Sequence, residues 1–129
     1  MDLFHKVERI IHFLLQRGGF NTPNFNLKLT KGPRGGYFCL EDCELAIPEW
    51  SLHTNFHGCS DDTFCYYYVA HELAHAVVGG YEEIDHGALF YDAFRQLCPI
   101  HLQHWELEYL PDNRSFLSVQ TGRLPVSIR

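Results

Sequence analysis

The sequence predicts an α+β domain in which an N-terminal helix and a small sheet of about three strands, antiparallel or mixed, back a helix that carries chemistry. Three observations predict it. Apolar residues recur at helical spacing from Leu3 to Leu15. Short alternating runs broken by Gly and Pro fill the stretch from Phe25 to Leu52. A helical stretch with start and stop signals, from about Thr63 to Val78, holds His71-Glu72-Leu73-Ala74-His75.

Each element has its own signal. Leu3, Phe4, Val7, Ile10, Ile11, Leu14 and Leu15 make one apolar face, and Gly18-Gly19 ends the first helix. Phe25 to Thr30 alternates, Lys31 to Gly36 has turn chemistry, and Tyr37 to Leu40 follows as a second strand, which reads as a hairpin. Glu44 to Leu52 is the third strand, and Pro48, lacking an N–H, favours an edge position or a bulge there. Ser60, Asp61 or Asp62 can cap the motif helix, and Gly79-Gly80 ends it. Tyr81 to Gly87 reads as a loop and Ala88 to Leu97 as a short helix. Pro99 to Leu110 reads as another helix, closed by Pro111. Residues 112–129 are an extended tail or short strands on the body of a single domain spanning 1–129.

Composition narrows the function. A chain of 129 residues with 46% hydrophobic residues can bury a core without disulfides. Its net charge of −6 and lack of a basic stripe argue against direct nucleic-acid binding. Five cysteines (Cys39, Cys43, Cys59, Cys65, Cys98) form no Cys-x-x-Cys pair, so buried free thiols are expected rather than a disulfide framework or zinc ribbon. The charged opening segment is no signal peptide and no run is long enough to span a membrane, so a cytoplasmic protein is expected.

The chemistry lies in the motif. His71 and His75 are four residues apart, so on a helix both imidazoles leave one face and reach one metal ion. Zinc with three protein ligands keeps one position for water, and a neighbouring carboxylate, here Glu72, is placed to take its proton. The third ligand is best sought in His86, just past the helix end, where the glycine break lets the chain fold back. Glu82, Glu83 and Asp85 are alternatives, and Asp85 or Asp92 can orient a ligand histidine from behind. Tyr66, Tyr67 and Tyr68 precede the motif, and at least one should share the ligand face. Tyr81, Tyr91, Arg95, His101 and His104 are candidate donors to an oxyanion.

His71-Glu72-x-x-His75, a loop, and then His86-Gly87-x-x-Phe90 resemble the SprT-like and Spartan-type zinc peptidases over about Tyr66 to Phe94. The resemblance implies a zincin-like fold, zinc held by His71, His75 and His86, Glu72 as general base, and a protein or peptide substrate. It also implies that substrate lies extended along a strand beside the metal helix, for which Glu44 to Leu52 is the candidate, with Ile47 and Trp50 as pocket residues or as core. The Cys-rich zinc ribbon or DNA-binding region common in that family is absent from this acidic sequence. Cys43 with Ile47-Pro48-Glu49 faintly resembles peptide deformylase, but the glycine-rich motif of that family is missing and a structural thiol is the simpler reading. Two other functions compete with peptidase: a binding or assembly protein with structural zinc or lost activity, and a hydrolase of non-peptide amides.

Overall fold

The computed structural model describes residues 2–53, 63–79 and 86–109. Helix α1, Leu3–Gly18, starts where the Asp2 side chain accepts the His5 backbone N–H at 2.9 Å and stops at Gly19, whose φ of 76° is left-handed. Of the predicted apolar face, Val7, Ile10, Ile11, Leu14 and Leu15 are buried, whereas Leu3 is half-buried and Phe4, in the first turn, is exposed.

Strands β1 (Asn26–Thr30), β2 (Tyr37–Cys39) and β3 (Glu44–Pro48) form a mixed sheet in the order β1-β3-β2. β1 runs parallel to β3, with Leu27 opposite Leu45, and β2 runs antiparallel to it, with Phe38 opposite Leu45. This corrects two expectations. The first two strands do not pair as a hairpin, and the third is central rather than at an edge. Burial supplies the reason: Leu45, Ala46 and Ile47 are all fully buried, so β3 has no face for water, whereas β1 and β2 have exposed positions. Pro48 is tolerated because the register with β2 stops at Ala46, two residues earlier. The tight connection is instead from β2 to β3, where Cys43 takes a φ of 48°.

Helix α2, Thr63–Val78, has the predicted extent and is buried along most of its length against the sheet, α1 and α3. Gly79 closes it with a φ of 65° and an N–H bond to the His75 carbonyl at 2.9 Å. The expected cap residues Ser60 to Asp62, the loop residues 80–85 and the tail 112–129 lie outside the described residues. Helix α3, Ala88–Leu97, is as predicted. The single helix expected after Pro99 is instead a 3-10 turn, Ile100–Leu102, followed by the short α4, Trp105–Tyr109. Between them the Gln103 side chain donates to the carbonyls of Cys98 and Arg95, satisfying the end of α3 and fixing the break.

The core joins the α1 stripe, the β3 side chains, α2 and the inner face of α3 into one cluster. Cys65 and Cys98 are buried free thiols, whereas Cys39 and Cys43 are half-buried near the β2–β3 turn. Among the described residues no helix is long and apolar enough to cross a membrane.

Candidate metal centre

The helical spacing of His71 and His75 puts their rings 5.4 Å apart, centroid to centroid, on one face of α2. His86, just before α3, closes the triangle at 5.0 Å from His71 and 5.1 Å from His75. One ligand atom from each lies within 4.8 Å of the others, so the three histidines form a group able to hold a metal ion. Phe90 is their common neighbour, with its ring 4.4 Å from His75, 4.8 Å from His86 and 5.0 Å from His71. One turn of α3 thus carries an apolar ring against all three imidazoles.

The donor set suits a borderline metal: three imidazoles are ligands for zinc, copper, iron or nickel rather than for calcium or magnesium. His75 is pushed down to about 3, mainly by burial and then by the neighbouring His71 and His86, so its imidazole is neutral and ready to ligate at neutral pH. Cys43 and Asp92 are not among the grouped ligands, which leaves a three-histidine set among the described residues.

A residue that the sequence did not point to organises the site from behind. Glu106 of α4 is fully buried, and its Oε1 lies 2.8 Å from His71 Nδ1. Tyr67 donates to the same oxygen at 2.8 Å, and Tyr91 donates to Oε2 at 2.8 Å. Burial alone would push the Glu106 carboxyl up, but the His71 hydrogen bond and charge and the two tyrosines hold it below its ordinary value. His71 shows the counterpart, raised by Glu106 against a burial effect that lowers it. With Nδ1 facing Glu106, Nε2 is the nitrogen left for a metal, the arrangement in which a carboxylate fixes the tautomer of a ligand histidine. The orienting carboxylate for His71 is therefore Glu106, and Asp92 accepts instead from Gln96 on its own helix. The one sequence signal was a carboxylate wedged between Trp105 and Leu107.

Glu72 lies beside the triad in a cleft of about 360 Å³ lined by Gly35, Gly36, Tyr37 and Phe38 on one side and by Tyr68, the three histidines and Tyr109 on the other. Its carboxyl is raised, mainly by burial, with His71 and a Tyr68 hydrogen bond opposing. Tyr68 is thus the member of the tyrosine run on the ligand face, while Tyr67 turns to Glu106. β3, expected to receive substrate, has β1 and β2 on its two edges, and its Ile47 is fully buried core. The strand that borders the cleft is β2. Trp50 is half-buried outside the cleft and donates to the Arg34 carbonyl at 2.9 Å. Comparison with family models, curated proteins and solved structures gives no match, so the site stands on its own geometry.

Proposed function

We propose that the protein is a zinc-dependent peptidase in which His71, His75 and His86 hold the metal and Glu72 is the general base. The observation that carries this reading is the convergence of three histidines on one point, within 4.8 Å of one another, with the Glu72 carboxyl lining the same cleft. Zinc held by His71, His75 and His86 would supply Lewis acidity towards a scissile carbonyl and would lower the pKa of a water to about 7. Glu72 accepts a proton from the attacking water and delivers it to the departing amine, so that water is split across the peptide bond and no residue-bound intermediate forms.

An extended peptide is best received by β2, whose outer edge is unpaired among the described residues and whose approach, Gly35-Gly36, lines the cleft. Of the oxyanion donors weighed from sequence, Tyr91 is committed to Glu106, Arg95, His101 and His104 do not line the cleft, and Tyr81 lies outside the described residues. Tyr109 does line it, and its phenol is raised by burial and by the charge of Glu72, so it is the described residue best placed to donate there.

A fourth protein ligand would instead mark a structural site; among the described residues neither Cys43 nor Asp92 joins the three histidines, and Asp85 lies outside the described residues. Purified protein should carry about one zinc per chain. His86→Ala should release it, and Glu72→Gln should retain it while peptide hydrolysis falls by at least about 100-fold. Undiminished turnover by Glu72→Gln, or full zinc content in His86→Ala, rejects the assignment. A formyl-peptide substrate assayed in parallel separates proteolysis from hydrolysis of other amides.

A further inference from the structure

We propose that Tyr68 and Gly36 together form a cradle that positions the Glu72 carboxylate, with Tyr68 as a positioning residue for the general base. The inference rests on the peptidase reading above and gives Tyr68 and Gly36 a task that reading does not assign them.

Tyr68 and Glu72 are one turn apart on α2 and share a face. The Tyr68 hydroxyl accepts the backbone N–H of Gly36 at 2.7 Å and lines the same cleft as the Glu72 carboxyl. The Gly36 N–H occupies an acceptor site on the phenol oxygen, so the phenol keeps its one proton to give, and in the proposed cradle the Glu72 carboxylate, one turn away, is its acceptor. Burial, and next the charge of Glu72, raise Tyr68 well above the ordinary tyrosine range, so it remains a donor at any physiological pH.

Gly36 is held to glycine by close approach. A Cβ there would lie 2.5 Å from the Ala46 carbonyl oxygen and 3.1 Å and 3.2 Å from Cγ and Cδ of Glu72. The main chain entering β2 therefore lies flat against the Glu72 side chain. Gly35 meets the same constraint more mildly, since its Cβ would sit 3.2 Å from the Tyr68 hydroxyl. Glu72 is thus confined on one side by backbone that the Tyr68 phenol fastens in place. Because β2 also borders the cleft, the strand that would receive substrate and the base that would act on it are tied through one phenol.

The test combines two readouts on Tyr68→Phe. In metal-free protein labelled with 13C at glutamate carboxyls, the Glu72 resonance, assigned by its loss in Glu72→Gln, should move in Tyr68→Phe. With zinc restored, chelator competition should give a zinc Kd within about twofold of wild type, while kcat on a quenched peptide falls about 10- to 100-fold and KM stays within about twofold. In a Glu72→Gln background, Tyr68→Phe should cause no further loss. An unmoved Glu72 resonance, an unchanged kcat, or a full additional loss in the double variant overturns the cradle even if the protein is a peptidase. Absence of zinc or of hydrolysis in the wild type overturns the peptidase reading, and with it the catalytic purpose of the cradle. Gly36→Ala should reproduce the fall in kcat, and Tyr68→Phe carries the test should that variant not fold.

Discussion

Glu106 is a carboxylate with no exposure, and it is tolerable there because both oxygens have partners in His71, Tyr67 and Tyr91. Glu106→Gln keeps the shape but loses the charge that orients the ring, and zinc affinity should weaken by about 10- to 100-fold in chelator competition. An unchanged affinity would mean that His71 is oriented by packing alone. At this scale the sequence was partly legible. His71, Glu72 and His75 follow from helical period, and His86 from a glycine break that lets the chain return. Glu106 follows from neither, because no spacing rule joins α4 to α2. Tyr68 was visible as one of three consecutive tyrosines, yet which of them faced the motif carboxylate required the helix phase and the position of Gly36.

Helix α1 illustrates what a strongly periodic element gives away. Its limits, its apolar stripe and its glycine stop all follow from local sequence, and Leu14 at its centre is fully buried. Leu14→Ala should cost about 2–5 kcal/mol, read as a lowered urea midpoint at constant slope. A loss below about 1 kcal/mol would show that the stripe does not anchor the core. The sheet was less legible, because strand existence is local and strand order is not. Fragments 26–30 and 37–39 looked like neighbours by turn chemistry, but the all-apolar Leu45-Ala46-Ile47 could be satisfied only by burial on both faces. Pro48 misdirected for the same reason: it signals a missing ladder bond, which a strand end supplies as well as a sheet edge does. The segment after Pro99 breaks in two because Gln103 turns back on α3, a contact with no periodic signature.

Across the molecule, the histidine cluster links stability to pH and to metal. The unfolded chain protonates His75 near its ordinary value of 6.5, whereas the folded chain resists until about 3. Below pH 6.5 the unfolded state therefore binds more protons, and stability falls as pH drops across that window. His71 has the opposite sign: raised in the fold, it contributes stability below 6.5 that is lost as pH rises. Metal-free protein should thus show a urea midpoint that declines from pH 6.5 towards 4, and His75→Asn should flatten the decline; an equally steep decline in the variant would remove His75 as its source. Zinc at 100 times its Kd should add about 2.7 kcal/mol at neutral pH, and acid should erode this gain because ligation needs neutral imidazoles.

Phe90, packed 4.4 Å from His75 and 4.8 Å from His86, has a consequence for observing the site. Its ring current shields imidazole protons that lie over its face, displacing their magnetic resonances upfield from those of the solvent-exposed histidines. The molecule thereby carries a built-in spectroscopic label at its metal centre, one that registers ion capture as a change in ring tilt without any added probe.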